Sequence, residues 1–104
     1  MRMRKSQLKT YLYSSRIPKK DKEGSSYIEY GDPESFEAII WPAQGRVQAE
    51  LYGERLRYIL NMKTSSDIPL KELDGIAVYE EKPDYQIISI RGFTDHILCE
   101  LEKL

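Results

Sequence analysis

The chain has 104 residues with 32% charged side chains, enough for one domain with one core and too little for two. Its 40% hydrophobic content and eight tyrosines exclude a disordered tail. No apolar run approaches the ~20 residues of a membrane helix, and none follows the basic start MRMRKSQLK to make a secretory signal. The expectation is a soluble protein made in a cytoplasm, one domain over 1–104 with residues 1–7 a frayed basic terminus.

The net charge of −1 hides a polarity: residues 1–22 sum to +7 and residues 23–104 to −8. Such a distribution either steers the chain toward nucleic acid or lets the basic part of one copy meet the acidic surface of another.

Leu8 to Ile17 has a β-like composition and predicts a first strand, ended by Pro18. Residues 19–35 concentrate Lys, Asp, Gly, Ser and Pro around one apolar patch, Tyr27 to Tyr30, and predict a long loop with the start of a second strand. Phe36 to Trp41 alternates and is interrupted by Pro42, with Trp41 expected to anchor the core.

Gly45 to Lys63 fits two templates. Val47, Ala49 and Leu51, then Leu56, Tyr58, Leu60 and Met62, keep period two on both sides of Gly53, favouring a hairpin that turns at YGER. Ala49, Tyr52, Leu56, Ile59 and Leu60 make the alternative, a helical stripe with Gly53 inside it.

Thr64 to Gly75 predicts a loop, Ile76 to Tyr79 a short strand, and Glu80 to Asp84 a charged turn. In the next strand Tyr85, Ile87 and Ser89 alternate with Gln86, Ile88 and Ile90. A turn over Gly92 to Asp95 precedes a last strand with Ile97, Cys99 and Leu101 on one face. The fold class is therefore mainly β, a small antiparallel barrel or sandwich with long loops and at most one short helix.

The lone cysteine and histidine exclude an internal disulfide and a zinc site built from them alone. On a strand, three residues at ~3.3 Å each put His96 and Cys99 about 10 Å apart on opposite faces, too far for a nucleophile and its base. Glu80 with Glu81, and Glu72 with Asp74, read as solvated turn charge beside Lys82 and Lys71, and the scattered glycines form no phosphate loop. No catalytic residue, metal site or cofactor is expected, and the chain is not expected to be an enzyme. The tyrosines suit either cross-strand packing or a surface half-buried in a partner.

The order of FEAIIWPAQGRVQAELYGERLRYILNMK, GIAVYEEKPDYQIISI and HILCELEKL, with RVQAELYGERLRYILNM and the hairpin around Tyr85 to Ile90 as its most suggestive pieces, resembles the head-tail joining, or head-closure (stopper), proteins of long-tailed bacteriophages over about residues 8–103. The resemblance implies a small β-barrel protomer in the virion neck, assembled in the host cytoplasm as a ring below the portal and its adaptor. Its partners would be portal, adaptor and tail-completion proteins, other copies of itself and, in passing, the packaged duplex DNA; no membrane is involved. The channel or stopper segment would map to about Gln44 to Glu54, with Gln48, Glu50, Tyr52 and Glu54. Arg16, Lys19, Lys20 and Lys22 are the candidate contacts to a neighbouring subunit or adaptor, since a basic edge and an acidic edge on every copy are complementary around a ring. The alternative is an autonomous small-barrel nucleic-acid-binding domain using the same basic region and the tyrosines.

Overall fold

The computed structural model describes residues 8–104; the expected frayed terminus, residues 1–7, lies outside them. Among the described residues eight strands form: β1 Lys9–Ser14, β2 Arg16–Lys20, β3 Ser26–Tyr30, β4 Glu34–Pro42, β5 Ile59–Ser65, β6 Gly75–Ala77, β7 Tyr85–Gly92 and β8 His96–Lys103. One short helical segment, α1 (Arg46–Tyr52) continuing into a 3-10 turn (Gly53–Tyr58), separates β4 from β5. Six strands close into an antiparallel barrel in the order β1-β4-β5-β8-β7-β6, and β2 and β3 form a separate two-stranded ribbon. The expected mainly β class, a small barrel with one short helix, is what the sequence adopts.

The barrel interior is built in rows, because residues opposite one another on antiparallel strands point to the same face. Ile40, Met62, Cys99 and Ile90 form one register row, and Ala38, Thr64, Ile97 and Gly92 the next. Met62, Ile76, Ile87 and Leu101 are fully buried, with Tyr13 and Phe36 meeting edge to face at 5.4 Å at one side of the core. Thr64, the polar member of these rows, is also fully buried, and its Oγ1 donates to the Glu37 carbonyl at 2.7 Å.

Four sequence expectations are corrected. The first strand is two strands: after Ser14 the chain leaves the barrel, and Pro18 lies inside β2. It is tolerated there because β2 pairs only with β3, where Pro18 sits opposite Ile28, so its missing N–H interrupts no central ladder. The loop expected over 19–35 contains all of β3, the partner of β2, and the first two residues of β4. Of the hairpin expected over Gly45 to Lys63, only Ile59 to Lys63 is strand, within β5, and the rest is helical: Gly53 takes φ 55°, which suits glycine, and its N–H bonds to the Ala49 carbonyl to end α1. Trp41 is half-buried and stands on the outer wall opposite Asn61, under the helical insert, so it does not anchor the core.

The strand at Tyr85 begins as expected, but its alternation breaks at a bulge. Ile87 faces Leu101 and Ser89 faces Glu100, leaving Ile88 as the extra residue. Two residues opposite one reverse the side-chain phase, so Ser89 turns outward and Ile90 packs against the core.

Closure of the barrel falls to β6, three residues paired with β1 on one side and β7 on the other. Its first residue has to be glycine: a Cβ at Gly75 would lie 2.7 Å from Pro83 Cβ and 2.8 Å from Tyr30 Cε1. Tyr30 belongs to the ribbon, so the seam and the ribbon root are packed together at this point. Gly75→Ala should therefore destabilise the fold by ~1–3 kcal/mol, the usual cost of overpacking. Chemical denaturation checks this, and an unchanged midpoint would contradict the packing described.

Candidate functional site

Two features stand outside the barrel wall, the ribbon and the helical insert, and the residues singled out in the sequence fall on them. Arg16, Lys19, Lys20 and Lys22 are all exposed on the ribbon and its turn. Asp21 builds that turn: its Oδ1 accepts from the N–H groups of Glu23 at 2.9 Å and Ser25 at 2.8 Å. Lys19 pairs with Glu29 across the ribbon at 2.7 Å, a surface pair of small energetic consequence. The root is held by buried Asp74, whose Oδ1 accepts from the Arg16 N–H at 3.1 Å and whose Oδ2 accepts from the Lys71 N–H at 3.0 Å.

The insert lies against a row of outward side chains crossing four strands: Trp41 on β4, Asn61 on β5, Glu100 on β8 and Ser89 on β7, each opposite the next in register. Its attachment is polar. Gln48 Nε2 donates to Asn61 Oδ1 at 2.7 Å and to Glu100 Oε2 at 2.9 Å, Asn61 Nδ2 donates back to Gln48 Oε1 at 3.2 Å, and Ser89 Oγ donates to Glu100 Oε1 at 2.7 Å. The Tyr52 hydroxyl also bonds to Glu100. Burial alone would push the Glu100 carboxyl up, but the hydrogen bonds from Gln48, Ser89 and Tyr52, with Arg91 nearby, outweigh it and hold the carboxyl below the usual glutamate value. Burial and the same carboxylate push the Tyr52 hydroxyl up to about 12, so it remains a donor at neutral pH.

The four residues of the expected channel segment thus divide. Gln48 and Tyr52, one helical turn apart, face the barrel and fasten the insert to it. Glu50 pairs with Arg46 at 3.1 Å and is exposed, as is Glu54 in the 3-10 turn. No residue of α1 or of the 3-10 turn is buried, and Val47 and Leu51 are 79% and 66% exposed, so the insert presents an apolar stripe to solvent. With Trp41 and Leu98 these two line a shallow cavity of about 320 Å³.

Sequence reasoning did not find Asn61, Ser89, Glu100 and Asp74 in these roles. Outward polar residues on alternating strands were the only signal for the first three, and their register was needed to join them. Tyr13 and Tyr85 are buried in the core, whereas Tyr27, Tyr58 and Tyr79 are exposed.

Cys99 lies inside the barrel, where burial pushes its thiol up to about 12. His96 bonds through Nδ1 to Asp95 at 2.6 Å and stacks on Phe93 at 4.7 Å. Among the described residues no group of three or more His, Cys, Asp or Glu is placed to hold a metal ion, and no helix is long and apolar enough to cross a membrane. Comparison with models of protein families and with curated proteins finds no match to this chain.

Glu100→Gln removes the charge that Gln48, Ser89 and Tyr52 share and should cost about 1 kcal/mol, after discounting for partial exposure. Because the folded-state pKa of Glu100 is lowered, this stabilisation is present above the ordinary glutamate value and is lost as pH falls through the lowered one. Unfolding curves of wild type and variant should therefore converge in acid. A difference that persists in strong acid would contradict a role for the ionised carboxylate.

Proposed function

We propose that the protein is a structural component of a bacteriophage neck, joining the DNA-filled head to the tail as a ring below the portal and its adaptor, and helping to close the DNA channel. The observation that carries this reading is the helical insert between β4 and β5 of a closed barrel. It occupies the stretch where the resemblance places the channel segment, and it is fastened to the wall by Gln48 and Tyr52. Toward solvent it presents Glu54 and the Arg46–Glu50 pair, with Arg57 also exposed. A face of nearly balanced charge does not hold phosphate strongly, so packaged DNA would pass or stop without being gripped.

The ribbon gives the same reading a second support. Ring closure needs complementary surfaces on every copy, and the exposed lysines of the ribbon together with the exposed acidic loops supply charges suited to such a contact. The protein then works by shape and charge, with no reaction of its own.

In a phage that carries the gene, deletion should leave filled heads and finished tails unjoined, with infectivity restored by the wild-type chain. Normal virions from the deletion strain would overturn the reading. The isolated chain should also hold free duplex DNA weakly; tight binding that falls steeply with salt would favour an autonomous nucleic-acid-binding domain instead.

A further inference from the structure

The ribbon β2–β3 is poorly provided for by its own chain. Two-stranded hairpins of this length are marginal in water on their own, and this one leaves Ile17, Tyr27 and Ile28 each about 40% exposed beside Lys20 and Lys22, which make no ion pair among the described residues. A ribbon with exposed apolar and cationic side chains is suited to a partner that offers rings and carboxylates.

The barrel carries such a surface at the loop between β6 and β7. Tyr79 is 75% exposed and meets the buried Tyr85 ring edge to face at 6.1 Å, which fixes its direction. Glu80 and Glu81 follow, both exposed and without an ion pair among the described residues. Asp84 stiffens this lip from beneath: its Oδ1 accepts from the Val78 N–H at 2.7 Å and its Oδ2 from the Tyr79 N–H at 3.0 Å. Together with Lys9, Tyr11 and Leu12 of β1, the lip borders an open depression. The depression exists because β6 reaches β1 only at Leu12 to Ser14, so the wall beside Lys9 to Tyr11 has no strand on that side.

We propose that the ribbon of one copy docks on the Tyr79–Glu81 lip of a second copy, setting Lys20 and Lys22 against Glu80 and Glu81 and the exposed apolar side chains against the Tyr79 ring. Pro18 has no N–H to give, so the joint is made by side chains and not by continuing β2 as an added strand. Ribbon and lip are different surfaces of the same chain, so the contact is made reciprocally in a two-fold pair or repeats head-to-tail from copy to copy, closing a ring or extending a filament. The inference rests on the reading that copies associate, and it names the two surfaces that meet.

A charge exchange on the isolated chain tests it. Wild type should associate with rising concentration in sedimentation velocity, at least tenfold more weakly in high salt. Lys20→Glu with Lys22→Glu should abolish this, as should Glu80→Lys with Glu81→Lys, while an equimolar mixture of the two variants should restore it; unchanged melting curves would show that both fold. A wild type that stays monomeric, variants that still associate, or a mixture that fails to recover would each overturn the proposal. So would tight binding of duplex DNA that only the Lys20/Lys22 variant loses, because the ribbon would then belong to nucleic acid. A contact that passes this test in a chain dispensable for head-tail joining would remove the neck reading alone. A chain required for joining whose association ignores these charges would remove the contact alone.

Discussion

The barrel wall is continuous only because Gly75–Ala77 bridges β1 to β7, and nearly every other feature of the molecule is placed by that bridge. On one side of it, Asp74 reaches back to the Arg16 N–H and fixes where the ribbon leaves the wall. Within it, Gly75 admits the rings of Pro83 and Tyr30 to a distance no other residue allows. On the far side, the backbone N–H of Asp84 bonds to the Ile76 carbonyl while its side chain shapes the lip at Tyr79. Leu73, just before the bridge, adopts φ 74°, a conformation uncommon for leucine, and its N–H bonds to Ile87 O at 2.7 Å. The local strain is accepted where the seam must be tied.

The bulge in β7, the strand next to β6, plays a comparable part. Without the bulge, with Ile88 paired in regular alternation, Ser89 would point inward and Ile90 outward, which would bury a hydroxyl and expose an apolar side chain. With it, Ser89 reaches Glu100, and Glu100 becomes the common acceptor for Ser89, Gln48 and Tyr52. A helix with no buried residue is thereby held by polar contacts to side chains from two strands, β5 and β8. That leaves Val47 and Leu51 exposed to solvent.

The sequence was readable where each strand has one wet and one dry face. Phe36 with Ala38, and Ile97 with Cys99 and Leu101, alternate cleanly, and the expected turns at Glu80 to Asp84 and Gly92 to Asp95 lie where the chain reverses. It misled where the pattern had another cause. Val47, Ala49 and Leu51 alternate although none is buried, so period two there reported no sheet. Trp41 was assigned to the core from its size, whereas its strand position, odd against the inward Ala38 and Ile40, put it outside. Pro18 argued against a strand only on the premise of neighbours on both sides, which β2 lacks. The Glu100 network and the Asp74 clamp join residues far apart in sequence, and only the register brings them together.

Native-state hydrogen exchange over β6 tests closure of the barrel most directly. If Gly75–Ala77 bridges β1 and β7 as a working strand, its protected amides should exchange in the same slow class as those of β5 and β8. Rapid exchange there, with β5 and β8 still protected, would mean an open sheet whose ribbon and lip have no common foundation.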